Sequence, residues 1–170
     1  MNFKNRVKSL IFIFLLFFAF VFCACQKNSG GGLKCSLSVT CETAADKIED
    51  ESIVPENAVI YSNENVVFSD GESVFDVLLR EMRENGIHME FVNTPIYNSA
   101  YVEGINNLYE FDCGELSGWM YKVNGVFPNY GCSQYLLQDG DVIEWVYTCD
   151  LGKDVGGEYS AKNGMKNEDE

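Results

Sequence analysis

Apolar and polar residues alternate at the start of the region that can fold. In residues 34–42 (KCSLSVTCE) one face is polar and the other is apolar, with Cys35, Leu37, Val39 and Cys41. A repeat of two residues predicts a half-buried strand. Similar runs predict further strands at 66–68, 87–92, 119–123 and 142–149, and short strands at 101–105, 108–111 and 133–137. Residues 43–64 are polar and predict a long loop.

One segment repeats with the period of a helix. Its apolar stripe is formed by residues spaced four apart, which are Val74, Leu78 and Met82. Ser73 stands where an N-cap is expected, and Asp76 follows three residues later in the first turn. Gly86 stands where a glycine commonly ends a helix. The pattern therefore predicts a helix over 73–85 whose apolar face packs across a sheet.

Two turn signals divide the last third of the chain. Asn124-Gly125 predicts a type I′ hairpin turn after the strand at 119–123, with Val126-Phe127 starting the return. Pro128 ends the ladder there, because proline has no N–H to donate. Asp139-Gly140 turns the chain into the last strand. This order of elements predicts an α+β fold, a β-grasp-like mixed sheet with one packed helix.

The first residues resemble an export signal. Three basic residues precede the apolar run 10–22, which is shorter than the roughly 20 residues of a membrane-spanning helix. The pair Ala24-Cys25 then resembles a bacterial lipobox, in which the cysteine after a small residue is lipidated. We expect residues 1–24 to be a lipoprotein signal peptide and Cys25 to carry a diacylglyceryl anchor with fatty acids such as palmitate. An ordinary signal peptide or a single membrane anchor is the alternative.

The polar, Gly-rich residues 25–32 suit a flexible tether between the lipid and a domain. The expected location is the extracytoplasmic face of the bacterial cell membrane. Residues 33–155 form the predicted domain, and residues 156–170, which end in NEDE, are predicted to be a disordered acidic tail.

The charge of the chain argues against one class of partner. The formal net charge is −14, and removing residues 1–24 makes it more negative because that segment carries only basic charges. Phosphate backbones repel such a chain, so nucleic acid is not expected as a partner. Cations and neutral ligands are easier to accommodate.

Four motifs together resemble a known family. They are GESVFDVL (71–78), SGWMYKVNG (117–125), FPNYG (127–131) and DGDVIEWVYTCDLG (139–152). They resemble the transcobalamin-like C-terminal domain of bacterial surface proteins, which is similar to the small β-rich domain of the animal cobalamin carriers. In those carriers the ligand lies between an α/α barrel and this small domain. The resemblance implies cobalamin or a related tetrapyrrole as ligand. Because this sequence shows no α/α barrel, it also implies a second domain or chain that completes the site.

The resemblance implies a site around the hairpin. By position, Trp119, Gly125, Pro128 and Tyr135 match positions in the carriers. The candidate ligand-binding residues are Trp119, Tyr121, Asn124, Gly125, Phe127, Pro128, Tyr130 and Tyr135. Aromatic side chains offer flat contact area with polar tips. Trp119 and Tyr121 share one face of their strand, so if they face the helix, the loop residues Phe127 and Tyr130 remain for binding.

Five cysteines follow Cys25, and outside the membrane such cysteines suggest disulfides. In a β-grasp sheet the first and last strands are usually parallel neighbours, which favours Cys41–Cys149. Cys113–Cys132, across the aromatic hairpin, is the second expected pair. The alternative is a metal site of thiolates and carboxylates, formed by Asp112, Cys113, Cys149 and Asp150. The sequence has no C-x-x-C pair, and its one histidine, His88, falls on a predicted strand.

The sequence contains no motif that brings together the groups of a catalytic site. A Ser-His-Asp arrangement would depend on His88, and the nucleotide-binding and zinc-protease motifs are absent from the sequence. The function expected is a membrane-anchored binding module, not an enzyme, that hands cobalamin or a related tetrapyrrole to a transporter. A structural or adhesive module that binds a surface protein, or a metal-binding lipoprotein, is the alternative.

Overall fold

The computed structural model describes residues 32–95 and 98–157. The predicted signal peptide, Cys25, nearly all of the tether and residues 158–170 of the predicted tail lie outside the described residues, so these remain predictions. Within the described ranges, no helix combines the length and the apolar character that crossing a membrane requires.

The described chain forms one α-helix and seven strands. The helix α1 spans Val74–Glu84. The strands in chain order are β1 Leu33–Thr40, β2 Val59–Phe68, β3 Met89–Thr94, β4 Ser99–Ile105, β5 Leu108–Tyr109, β6 Gly118–Val123 and β7 Val142–Thr148. Two short 3-10 turns lie at Glu42–Ala44 and Lys153–Val155.

The strands form two sheets. The first has the order β2-β1-β7-β6, in which β1 and β7 are parallel and the outer pairs are antiparallel. The second is antiparallel, with the order β3-β4-β5. The predicted α+β class with one helix is confirmed, and so is the parallel pairing of the first and last strands.

One face of the four-stranded sheet forms the core. The alternation in β1 buries Cys35, Leu37 and Val39, and Leu37 and Val39 stand opposite Ile143 and Trp145 of β7. The helix contributes Val74, Val77, Leu78 and Met82, all fully buried, to the same cluster. Burying apolar side chains of this size contributes about 1.5–3 kcal/mol each before the entropy cost of folding.

The start of α1 is closed by a capping box and by a neighbouring loop. The Asp76 N–H donates to Ser73 Oγ at 3.2 Å, and the Ser73 N–H donates to the Asp76 carboxylate at 2.9 Å. The N–H groups of Val74 and Phe75 donate to the carbonyls of Tyr135 and Cys132. The first N–H groups of a helix have no partner within it. Here the segment around residues 132–135 supplies two of the missing acceptors.

Three predictions about strands and loops need correction. Residues 59–64, predicted as loop, belong to β2, an edge strand whose exposed, polar residues such as Ser62 and Glu64 hide the alternation. Residues 133–137 do not form a strand. Their backbone groups bind the start of α1, leaving a single bridge between Ser73 and Leu136. The return after the hairpin turn is likewise limited to a bridge between Val123 and Val126.

Replacing Ser73 by alanine removes the cap of α1. We expect Ser73→Ala to lower the free energy of unfolding by about 1 kcal/mol, because the Asp76 N–H loses its acceptor. Urea unfolding measures this change. Ser69→Ala is the matched control, since the exposed Ser69 uses its backbone N–H, not its hydroxyl, to bind Glu72. Equal stability of Ser73→Ala and the wild type would contradict the capping role.

Candidate functional site

The hairpin turn has the backbone that its sequence predicts. Asn124 and Gly125 have φ values of 53° and 76°, the positive pair that a type I′ turn requires. The Asn124 side chain then ties the turn to the start of β7. Its amide donates to Asp141 Oδ1 at 2.8 Å, and its carbonyl oxygen accepts from the Val142 N–H at 3.0 Å. The Asn124 side chain therefore fixes the turn through both its amide group and its carbonyl oxygen.

Trp119 and Tyr121 belong to the core rather than to an exposed site. Trp119 is 7% exposed, and its indole N–H donates to the Leu108 carbonyl at 2.9 Å. Its ring meets the Tyr147 ring edge-on at 5.2 Å. Tyr121 is half-buried and stacks on Trp145 at 5.5 Å. The hairpin strand thus faces inward, and the candidate surface is reduced to the residues after the turn.

We call residues 127–135 the aromatic loop. Tyr130 and Tyr135 stack nearly parallel, with ring centroids 5.9 Å apart and planes 13° apart. Tyr130 is 46% exposed, while Phe127 and Tyr135 are half-buried. The Lys122 ammonium lies 5.1 Å from the centre of the Phe127 ring, within cation–π range. The loop therefore contains three rings, and Lys122 of β6 adds a positive charge beside one of them.

The aromatic loop is anchored on several neighbours. The Tyr121 hydroxyl donates to the Tyr130 carbonyl at 2.7 Å. The Ala100 N–H donates to Ser133 Oγ at 2.7 Å, and the Cys132 thiol donates to the Ala100 carbonyl at 3.4 Å. Gly131 packs so closely on Ser99 that a Cβ would lie 1.8 Å from the serine oxygen. A loop with these contacts holds its rings in one arrangement before any ligand binds.

Two exposed apolar residues beside the loop were missed by the sequence reasoning. Val126 is 65% exposed and Leu136 is 56% exposed. The sequence pattern predicts Val126 in the returning strand and Leu136 in a strand at 133–137. Their position next to Phe127 and Tyr135 was the available signal. Both are exposed apolar side chains directly before and after the loop in the sequence.

The two predicted cysteine pairs are not joined in the structure and stay predictions. The five described cysteines are free thiols, and neither Cys41–Cys149 nor Cys113–Cys132 is joined. The fully buried Cys41 thiol donates to the Ala58 carbonyl at 3.5 Å, and the Cys132 thiol donates to the Ala100 carbonyl of β4. Cys149 is among the groups that raise the pKa of Cys113, so these two cysteines are neighbours. When two strands pair, the loops that flank them also become neighbours. The sequence does not show which cysteine-bearing loops are brought together in this way.

The alternative metal site is not assembled. The Asp112 carboxylate accepts from the Tyr109 N–H at 2.7 Å, and Asp150 pairs with the Lys153 ammonium at 3.3 Å. Among residues 32–95 and 98–157, no group of three or more histidine, cysteine or acidic side chains is placed to hold a metal ion. His88 is exposed, and its Nε2 lies near Glu90 and the Tyr109 hydroxyl.

Comparisons with known proteins agree on the fold. The family model described as "Domain of unknown function (DUF4430)" matches residues 71–149, which is less than half of the chain. The crystal structure of haptocorrin in complex with Cbi is similar over 76% of this chain and 28% of that chain, with 17% identity and a TM-score of 0.51. Among curated proteins, no sequence matches this chain.

A second solved structure is described as "a putative metal binding protein from Ruminococcus gnavus ATCC 29149". It is 17% identical, with coverage of 68% of this chain and 96% of that chain and a TM-score of 0.42. At these identities the comparisons bear on the fold alone. The likeness to haptocorrin defines the class as a small α+β module similar in fold to part of that chain, as the resemblance to a transcobalamin-like small domain predicted.

The buried thiols make stability sensitive to alkaline pH. Burial raises the pKa of Cys35, Cys41 and Cys132 from a usual 9.0 to about 11. The pKa of these thiols is higher in the folded than in the unfolded state. The stability that the buried, protonated thiols contribute is therefore fully present below pH 9 and is lost as the pH rises toward 11. We expect the free energy of unfolding, measured in urea with a reductant, to fall across that interval.

Removing one thiol tests this origin. Cys35→Ala should show a shallower fall between the same two pH values, because one of the three thiols no longer releases a proton on unfolding. Ser36→Ala, on the polar face of β1, should keep the wild-type slope. Identical slopes for wild type and Cys35→Ala would show that Cys35 does not contribute.

Proposed function

We propose that this protein is a membrane-anchored, extracytoplasmic binding module whose aromatic loop contacts a flat ligand. The observation that carries the proposal is the stacked, partly exposed pair Tyr130 and Tyr135 on an anchored loop. Rings of this kind supply large contact area at little conformational cost, because few torsions have to be ordered. Nothing in this role requires a reaction, and the protein is proposed as a binder rather than an enzyme.

Cobalamin or a related tetrapyrrole is the proposed ligand. A planar macrocycle offers a face to the Tyr130 ring and apolar edges to Val126 and Leu136, which flank the loop. The likeness in fold to haptocorrin, whose structure contains Cbi, supports this ligand class. Lys122, over the Phe127 ring, provides a local positive charge on a chain whose formal net charge is −14. It would suit an anionic substituent of the ligand.

A second component is proposed to complete the site. This chain corresponds to 28% of the haptocorrin chain with which it shares its fold. A loop that presents rings on an outer surface covers one side of a flat ligand, so its other side needs a partner. We propose an α/α-barrel domain, carried by another chain, or the transporter that receives the ligand.

Titration with coloured ligands tests the proposed site. We expect cobalamin or haem, added to the full chain, to give a shifted absorbance and a calorimetric heat. Tyr130→Ala should weaken the affinity roughly tenfold, since truncating a central aromatic contact commonly costs more than 1 kcal/mol. Tyr135→Ala should act in the same direction, because it removes the ring on which Tyr130 stacks.

Tyr101→Ala is the matched control for this titration. Tyr101 is 45% exposed, nearly the same as Tyr130, but it lies on β4 of the second sheet. Its replacement should leave the affinity unchanged. The absence of heat and spectral change with both ligands would refute the ligand class. An equal loss of affinity in the Tyr101 and Tyr130 variants would refute the site.

A protein partner at the cell surface is the second candidate. The exposed apolar side chains of Val126 and Leu136 favour it, because such residues beside aromatic rings are typical of protein contacts. Cross-linking in intact cells distinguishes the two. A surface protein captured by the wild type but not by Tyr130→Ala, with no response to cobalamin or haem, would replace the first candidate.

The anchor is tested at Cys25. In cells of a bacterium that lipidates its surface proteins, Cys25→Ser should abolish the incorporation of labelled palmitate and move the protein out of the membrane fraction. Cys23→Ser should keep both, because Cys23 follows the bulky Phe22 and fits a lipobox poorly. If both variants were labelled equally, the assignment of Cys25 as the lipidated residue would be wrong.

A further inference from the structure

We propose that Cys113 and Cys149 form a disulfide that ties the loop before β6 to the end of β7. The two thiols are neighbours, since Cys149 is one of the groups that raise the pKa of Cys113, and both are partly accessible to solvent. This pair differs from both pairs expected from the sequence, and it does not depend on the ligand proposed above.

Backbone pairing brings the two cysteines together independently of their side chains. In the antiparallel register of β6 and β7, Gly118 stands opposite Thr148, so the residues before Gly118 run beside those after Thr148. The Cys113 N–H donates to Ser117 Oγ at 3.1 Å, which folds the loop back onto this point. Beyond the strands, the Leu151 N–H donates to the Leu116 carbonyl at 2.9 Å. The loop and the strand end are therefore fixed side by side.

The surroundings of Cys149 suit a thiol that reacts first. Its Sγ lies 3.3 Å from the Thr43 carbonyl, and Cys149 raises the pKa of the exposed Lys47, whose ammonium group is therefore its neighbour. A positive charge beside a sulfur favours attack by that sulfur. Burial, followed by the neighbouring Cys149, raises the pKa of Cys113 to about 11. Cys113 is therefore a protonated thiol at neutral pH.

The reaction is an exchange with a disulfide oxidant, such as glutathione disulfide or an oxidised thiol oxidoreductase. The Cys149 sulfur, having lost its proton, attacks one sulfur of the oxidant, and the S–S bond of the oxidant breaks. The released thiolate takes up the proton. Cys113 then loses its proton and attacks Cys149 Sγ, releasing the second thiol. Two protein thiols lose two electrons, and the oxidant disulfide gains them as two thiols.

Cys41 is the competing partner. Burial, followed by the neighbouring Cys113, raises the pKa of Cys41 to about 11. Cys41 and Cys113 therefore lie close to each other. However, Cys41 is fully buried, and its thiol is directed at the Ala58 carbonyl. A solvent-borne oxidant reaches the partly exposed Cys149 and Cys113 before it reaches Cys41.

Peptide mapping tests the pairing. The full chain is equilibrated with glutathione disulfide, alkylated while folded, digested without reductant and analysed by mass spectrometry. We expect one cross-linked species that joins the peptides of Cys113 and Cys149. Reduction should lower the melting temperature by roughly 10 °C, because the bond closes a long loop that includes the aromatic loop.

Variants separate this pair from the other thiols. Cys113→Ser and Cys149→Ser should each lose the cross-link and melt at the same temperature with and without reductant. Cys35→Ala, which leaves both cysteines intact, should retain the cross-link. Lys47→Gln should slow its formation several-fold without changing its position, because the positive charge beside Cys149 is removed. A cross-link to Cys41 or Cys132, or no cross-link in excess glutathione disulfide, would overturn the proposal.

Discussion

The parallel pairing of β1 with β7 is the constraint on which the rest of the structure depends. It joins the first and last strands of the described chain, with Leu37 opposite Ile143 and Val39 opposite Trp145. Parallel neighbours need a crossover. Here that crossover is nearly the whole domain, comprising the edge strand β2, the helix, the second sheet and the hairpin. The strands β2 and β6 extend the sheet on either side of the pair, while the helix and the second sheet contribute buried residues to the core on its apolar face.

The aromatic loop takes its position from this packing. Two of its carbonyls, those of Cys132 and Tyr135, accept the N–H groups at the start of the helix. On the other side Ser133 and Cys132 bind Ala100 of β4, and Tyr121 of β6 binds the Tyr130 carbonyl. The loop is thus fastened to the helix and to both sheets. That explains how a segment without regular structure keeps two tyrosine rings stacked and partly exposed.

Local sequence signals predicted those elements that require a particular residue type at a particular position, such as a helix cap or a tight turn. Ser73 and Asp76 form the capping box that their spacing indicated, and Asn124-Gly125 forms the turn that needs two positive φ values. The alternation of β1 marked its buried face. The local sequence signals failed where contacts with residues distant in the sequence decide the secondary structure. β2 is polar because it is an edge strand, and residues 133–137 satisfy a helix end instead of joining a sheet.

By itself, the sequence determined the α+β class, the helix with its cap, the hairpin turn and the aromatic content of the segment after it. Each of these depends on contacts within a few residues or on a repeat that matches one secondary structure. The tertiary structure alone decided which aromatic residues are buried and which thiols meet. Trp119 and Phe127 are both aromatic residues of one hairpin region, and packing places the first in the core and the second at the surface. Cys113 lies beside Cys149 because the register of β6 and β7 brings their flanking loops together. A cysteine count contains no information about register.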